Sequence, residues 1–423
     1  MPPNLSRCPQ KGLGATRHVL HAVLWLAARR GGGGPLGSGS LSVMGSFTWR
    51  YMNRFQCIGG DCEDTCCAAW GVEVSRTDVE AIHGWLADEP GRFEEAILTY
   101  PPKHRSPGRF GRIRMSPGCN CPLLSTDGLC GVHANLGEAA LPMTCTSYPR
   151  SLGIRGEVEV RELSGFLSCP EVVRQLLADE DALTREPGVG EHRMNLDQSI
   201  GRPGPYFERL DAVRTFVAAI GEGRPLADQL WLQFRFSASS VARFNRAATA
   251  AGPIEALMAQ FSEESHLDAV LAERPGRLDA FDAVFLAQVA KMATTEGQYR
   301  KPQALLLEAF LQHGSTDDLD AVLAGHRAAS ASWQAPPELS RYVAHHWLTR
   351  WYTNGPDLSY HAEWLLMKMA ILRLLLVSGA DLVAAIYSTD RIVEHHGWIY
   401  ECKGELRKLK LGSFELAGAL LGF

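Results

Sequence analysis

The sequence predicts a mainly α-helical protein, in which an irregular, cysteine-rich N-terminal lobe packs on a helical C-terminal lobe. Three observations predict it. Nine of the eleven cysteines fall between Cys57 and Cys169, the text around them is rich in Gly and Pro, and from Pro170 onward apolar residues recur at the helical period. With 423 residues, 46% hydrophobic and 21% charged, the chain is long enough to bury a large core. The expected divisions are an N-terminal extension over 1–46, the cysteine-rich lobe over 47–180 and the helical domain over 181–423.

Residues 1–43 carry five basic side chains, Arg7, Lys11, Arg17, Arg29 and Arg30, and no acidic ones. A short apolar run, Val19 to Ala28, precedes a Gly/Ser/Pro stretch. The run lacks a small-residue cleavage site, which argues against a secretory signal. The segment reads as a disordered arm or as translated upstream sequence with Met44 as the natural start, so ordered structure is expected from about Phe47.

Within 47–170 one helix is expected near Arg76 to Ala87, with Ser75 as its N-cap, and the alternation over Gly156 to Leu163 reads as a strand. Loops of this kind bury little and commonly need a staple. Pro170 and Glu171 favour a helix start. The helical period then runs through Leu210, Val213, Val217 and Ile220, and again through Phe281, Val284, Phe285, Val289 and Met292. Further helices are expected over 226–250, 254–272, 338–352, 360–378 and 380–395, punctuated by Gly252-Pro253, Pro275-Gly276, Gly355-Pro356 and Gly379.

A net charge of −5 excludes a whole-chain field for nucleic acid or an anionic membrane. The most apolar stretch, Leu365 to Val377, is too short for a span and is broken by Lys368 and Arg373. No nucleic-acid or membrane partner is expected.

The cysteines stand at Cys57, Cys62, Cys66, Cys67, Cys119, Cys121, Cys130, Cys145 and Cys169. Small secreted scaffolds use such density for disulfides because they lack a core. This chain is large, and an odd count suits pairing poorly. Metal-ligating thiolates are therefore expected, holding zinc or an iron–sulfur cluster. Four thiolates complete one such site, so nine imply two sites or supporting roles for some. Cys62 and Cys66 share a face if that turn is helical, whereas the neighbours Cys66 and Cys67 should diverge. Cys119 and Cys121 project together from extended chain. Gly59 and Gly60 allow close wrapping. Nearby Asp61, Glu63 and Asp64 do not lower thiol pKa, so a bound cation has to deprotonate the ligands. Ala69 stands where the radical-enzyme cysteine spacing needs a third cysteine, so no radical mechanism is read.

These residues carry a resemblance. The run Phe55-Gln-Cys57-Ile-Gly-Gly-Asp-Cys62-Glu-Asp-Thr-Cys66-Cys67-Ala-Ala-Trp70 resembles the opening of flagellin lysine-N-methylases, within a wider group of zinc- or iron-chelating cysteine-cluster proteins. The likeness continues through Cys121-Pro-Leu-Leu, Gly128-Leu-Cys130, Leu136-Gly-Glu138, Thr144-Cys145-Thr-Ser-Tyr148-Pro-Arg150 and Ser168-Cys169-Pro-Glu171, and covers 47 to about 180. It implies a protein-lysine N-methyltransferase that acts on flagellin in the cytoplasm. Its implied methyl donor is S-adenosylmethionine, and its implied metal centre is cysteine-bound, as a 4Fe-4S cluster or zinc. The residues alone do not reach methylation: no glycine-rich turn of the dinucleotide type is present. Two other classes stay open, a non-enzymatic metal-chelating protein and an iron–sulfur electron carrier.

Tyr148 and Arg150 are the candidate catalytic pair, contacting cofactor or substrate; the alternative, a turn that anchors the cysteine lobe, is preferred. Trp70 is expected to cap the metal site and His133 to be structural. The pairs His345-His346 and His395-His396 do not share a helix face and are not read as ligands. Arg391 and Glu394 are expected to form a solvated pair. Lys403, Arg407, Lys408 and Lys410 are expected to be a charged helix face.

Overall fold

The computed structural model describes residues 46–68, 71–116, 120–155, 160–190, 196–200, 204–246, 252–295, 300–349, 358–395 and 398–422. The N-terminal extension, including the expected arm over 1–43, lies outside them. Helix dominates, with eighteen α-helices among the described residues.

The expected helix after Ser75 forms as Arg76–Trp85, two residues shorter than the sequence suggests. Ser75 Oγ accepts the Asp78 N–H at 3.1 Å and Asp78 Oδ2 accepts the Ser75 N–H at 2.7 Å, a reciprocal cap. Val79 and Ile82 on its inner face join Val74, Ile97, Ile113, Leu123 and Val132 in a small core. Over that core lie three antiparallel strands: β2 (Glu73–Val74), β4 (Gly111–Ile113) and β3 (Ile97–Thr99), in the order β2-β4-β3. Gly111 is needed there, because a Cβ would stand 2.6 Å from the Leu98 carbonyl oxygen.

The larger sheet was not legible as a unit. Its strands are β1 (Phe47–Trp49), β5 (Arg150–Arg155), β6 (Val160–Gly165), β7 (Arg185–Pro187) and β8 (Leu196–Ile200), in the order β7-β1-β6-β5-β8. β1 runs parallel to β6 and antiparallel to β7, and β5 pairs antiparallel with β6 and parallel with β8. The expected strand over 156–163 is met over Val160 to Leu163 by β6, and 156–159 lie outside the described residues. Strands this short, paired across more than 100 residues, carry almost no local signal. Glu162 on β6 is fully buried and is satisfied by Trp49 Nε1 at 2.9 Å and Arg214 Nη2 at 2.8 Å. Arg214 also donates to Asp211, so one charge network ties the sheet to the helix Gly204–Ala219.

The expected helices are present as Pro170–Leu177, Gly204–Ala219, Leu226–Arg246, Asp279–Thr294, Leu339–Thr349, Leu358–Val377 and Leu382–His395. The stretch expected as one helix over 254–272 is two, Gly252–Gln260 and Glu264–Ala272. Past Pro170, Arg300–Leu311, Leu319–Ser330 and Ser413–Gly422 went unread, as did the short helices Arg50–Asn53, Arg92–Ala96, Gly131–Leu136 and Met143–Ser147, whereas Trp398–Arg407 carries Lys403 and Arg407 of the expected charged helix face. Leu358–Val377 is apolar on nearly every side because it is central, packing on Leu226–Arg246, Leu382–His395 and Ser413–Gly422. Phe47 to Met52 and Leu167 to Leu176 belong to this main core, so the chain leaves it and returns to it around the cysteine-bearing segment.

Candidate thiol site and adjoining cleft

All nine described cysteines are free thiols, and none is bridged to another. The Cys62–Cys67 run is a chain of bends and turns, so the helical face expected for Cys62 and Cys66 does not form. Gly59, at φ +57°, and Gly60 wrap tightly: a Cβ on Gly60 would stand 2.5 Å from the Asp127 carbonyl oxygen. The first cysteine loop is thereby seated on the turn before Cys130. The Cys121 N–H donates to the Cys67 carbonyl at 2.8 Å, which joins the second cysteine segment to the first.

The thiols lie within electrostatic reach of one another in overlapping groups. Cys66 senses Cys67, Cys145 and Cys169; Cys145 senses Cys67, Cys121 and Cys130; Cys169 senses Cys62. Cys66 and Cys67 share a hydrogen bond, contrary to the expected divergence of neighbours. It raises Cys66 and lowers Cys67 to about 7, because the proton stays on the first sulfur. Burial pushes Cys62, Cys130 and Cys145 up, and raises Cys121 to about 12 and Cys169 to about 11. Cys66 and Cys145 expose surface area, yet surrounding protein is dense enough for burial to raise both. Cys57 is exposed, with its Sγ accepting the Gly59 N–H at 3.5 Å. Cys119 and Trp70 lie outside the described residues. Among the described residues, no three Cys, His, Asp or Glu side chains stand close enough together to hold a metal ion.

Tyr148 and Arg150 each pack against an aromatic ring. The Tyr148 hydroxyl contacts Ser168 Oγ at 3.2 Å, its ring stacks parallel to Phe166, and burial holds its phenol protonated. The Arg150 guanidinium lies 5.5 Å from the centre of the Phe55 ring. His133 is exposed on the helix Gly131–Leu136.

Arg391 corrects the expectation most. It is 2% exposed, and its partner is not Glu394. Its Nε donates to the Ser168 carbonyl at 2.9 Å, its Nη2 to the Asp64 carbonyl at 2.9 Å, and its Nη1 lies 2.8 Å from Asp64 Oδ2. Burial raises the Asp64 carboxyl and Arg391 pulls it back down. Glu394 instead pairs with Lys368. Lys368 and Asp390 are each 2% exposed and meet at 2.6 Å, and the Tyr342 hydroxyl donates to Asp390 Oδ2 at 2.8 Å. A charge on the apolar helix Leu358–Val377 persists only with such partners.

Lys368, Asp390 and Tyr342 line a small cavity of about 20 Å³, room for about one water, whose other walls include Ser151, Ser164, His345 and His346. Both histidines reach it, although neighbours on a helix should diverge. His345 Nε2 bonds the Tyr51 hydroxyl at 2.9 Å, and His346 Nε2 donates to the His361 carbonyl at 3.0 Å. His395 closes its helix and His396 lies outside the described residues. Lys403 is not a free surface charge: it pairs with Glu363 at 2.7 Å over the Tyr360 ring, whereas Arg407, Lys408 and Lys410 are exposed. Leu167, two residues before Cys169, and Asp390, next to Arg391, both line the cavity. The available signal was Lys368 within an apolar run, which the sequence showed only as an argument against a membrane span.

The fold and site define a mainly helical protein with free thiols in mutual electrostatic reach and a small, charge-lined cavity. Comparison with known proteins sharpens that class. No family model matches the chain, and no solved structure matches it. A lysine-N-methylase of Salmonella typhimurium and one of Salmonella choleraesuis are each 34% identical over 139 residues, 31% of this chain and 32% of theirs. The match thus spans about a third of those relatives' length. The flagellar biosynthetic protein FliU of Salmonella muenchen is 32% identical over 164 residues, 38% of this chain and 89% of that protein. The chain belongs to the flagellin lysine-N-methylase family. Among the described residues, no helix is long and apolar enough to cross a membrane.

Proposed function

We propose that this protein methylates lysine side chains of flagellin in the cytoplasm, with S-adenosylmethionine as donor and a cysteine-bound metal centre in an irregular N-terminal lobe over 47–180. The observation that carries the reading is the match to the flagellar protein FliU across 89% of that relative's length. The printed names of the other relatives supply the reaction type.

The donor set suits a soft metal or iron–sulfur cluster in type: free thiols in mutual electrostatic reach. Cys57, Cys62, Cys66, Cys67, Cys121, Cys130, Cys145 and Cys169 would hold it, with Cys119 beside Cys121. The bound centre would supply positive charge that converts these thiols to thiolates. The donor would supply a methyl on a sulfonium. The chain's own task is then to desolvate and orient an amine whose reference pKa is about 10.4, and to take its proton.

Anaerobically isolated protein is incubated with flagellin and S-adenosylmethionine, and the flagellin is weighed by mass spectrometry. Methyl increments on lysine are expected; their absence with metal-replete protein overturns the reading. Metal and sulfide analysis with an absorption spectrum separates iron–sulfur from zinc, and finding neither defeats the metal assignment. Metal without donor binding in a calorimetric titration would instead indicate a chelating protein.

A further inference from the structure

We infer that Arg391 is a positioning residue that sets the thiol-bearing segments against one another from the helical half of the molecule. The inference builds on the proposal that these thiols hold a metal. The guanidinium reaches three segments at once. Asp64 stands midway between Cys62 and Cys66, and Arg391 takes both its carbonyl oxygen and its carboxylate. Ser168 immediately precedes Cys169, and Arg391 takes its carbonyl. Tyr148, three residues after Cys145, interacts with Arg391 and touches Ser168 Oγ at 3.2 Å.

Two features make this more than an ion pair. Both uncharged acceptors are backbone carbonyls, so the guanidinium fixes the path of the chain at the residues that flank the cysteines, whatever their side chains do. The guanidinium is also a rigid planar fork, so two carbonyls bound to its Nε and Nη2 are held at a set separation. A lysine would keep the charge and lose that geometry. The anchor is stiff: Arg391 lies in the helix Leu382–His395, which packs on Pro170–Leu177, the helix that Cys169 precedes. Burying a guanidinium is costly unless its donors are met. Here they are met by the segments that carry Cys62, Cys66 and Cys169. Cys169 belongs to the main core, but Cys62 and Cys66 belong to neither core, so apolar packing does not set their spacing from it.

The test uses the full chain with Arg391→Met, Arg391→Lys and Asp64→Asn. Metal-free, reduced protein is treated with a short bifunctional thiol reagent, and bridged peptides joining Cys62 or Cys66 to Cys169 are quantified against single labelling of each thiol. Held groups react at effective concentrations far above free ones, so bridging is expected to fall about tenfold in Arg391→Met. Arg391→Lys should recover part of it, and Asp64→Asn, which keeps the backbone carbonyl, should lose least. Single labelling should hold or rise. Far-UV circular dichroism and a cooperative melt report whether the helical half stays folded. Wild-type bridging in a folded Arg391→Met overturns the inference. If Arg391→Met does not fold, unchanged bridging in both Arg391→Lys and Asp64→Asn overturns it instead. A second arm measures retained metal and its absorption band, expected to fall and shift in Arg391→Met. A wild-type protein without metal defeats the metal assignment alone, because the bridging arm still judges the clamp.

Discussion

The helical half and the cysteine-bearing segment are ordered by different forces. The helical half buries a continuous apolar core that includes Trp231, Phe234, Phe281, Phe285, Phe310 and Trp347, each essentially inaccessible to solvent. The cysteine-bearing segment has a satellite core of eleven buried residues, none larger than Leu or Ile. Burial worth roughly 25 cal/mol per Å² leaves so small a core little margin against the entropy of ordering its loops. That segment is held by tethers: the Ser75–Asp78 cap, the Gly60 contact with Asp127, the Cys121–Cys67 backbone bond and the Arg391 fork. The difference teaches that the thiols are positioned by the helical half as much as by their own sequence.

The comparison can be broken by finding one common unfolding transition for both regions. The largest expected effect is in the helical half. Lys368→Met leaves Asp390 and Glu394 charged and buried, and should cost about 3–5 kcal/mol in chemical denaturation. Ile82→Ala in the satellite core should cost about 2–3 kcal/mol, and amide exchange should rise over residues 72–141 while Leu358–Val377 stays protected. Rising exchange in both regions would erase the distinction. Ser75→Ala removes one cap and should cost about 1 kcal/mol, again confined to the helix Arg76–Trp85. Lys408→Ala, on an exposed pair with Glu405, should move stability by no more than about 0.5 kcal/mol.

The pH-linked effect, absent at neutral pH, concerns Cys402, the described cysteine outside the cluster. Burial pushes its thiol from the ordinary 9.0 up to about 12, so the folded chain keeps this proton where the unfolded chain has lost it. The unfolded state then binds fewer protons, and its contribution to stability is constant below about pH 9 and falls as pH climbs toward 12. Cys402→Ala leaves a small cavity, so wild type should be more stable by a constant margin below about pH 9, and that margin should shrink as pH climbs above it. In native protein at neutral pH, Cys402 should also resist thiol labelling that reaches the exposed Cys57. Rapid labelling of Cys402 would show that the helical half opens readily and would blunt the contrast.

By itself the sequence determined the class of the fold, the helices with strong periodicity, the Ser75 cap, and the family, because these rest on local spacing and on motifs read along the chain. Leu210, Val213, Val217 and Ile220 are buried as their period required. Tertiary structure alone decided the five-stranded sheet, whose strands of three to six residues find partners far away in sequence. It alone decided the fates of Arg391, Glu394 and Lys403, read as solvated charges and found in buried or half-buried pairs. A charge three residues from another suggests a surface pair only while the helix face is unknown. Which side of Leu382–His395 meets Asp64, some 330 positions earlier, is settled when the chain closes on itself, and no local pattern encodes a contact of that range.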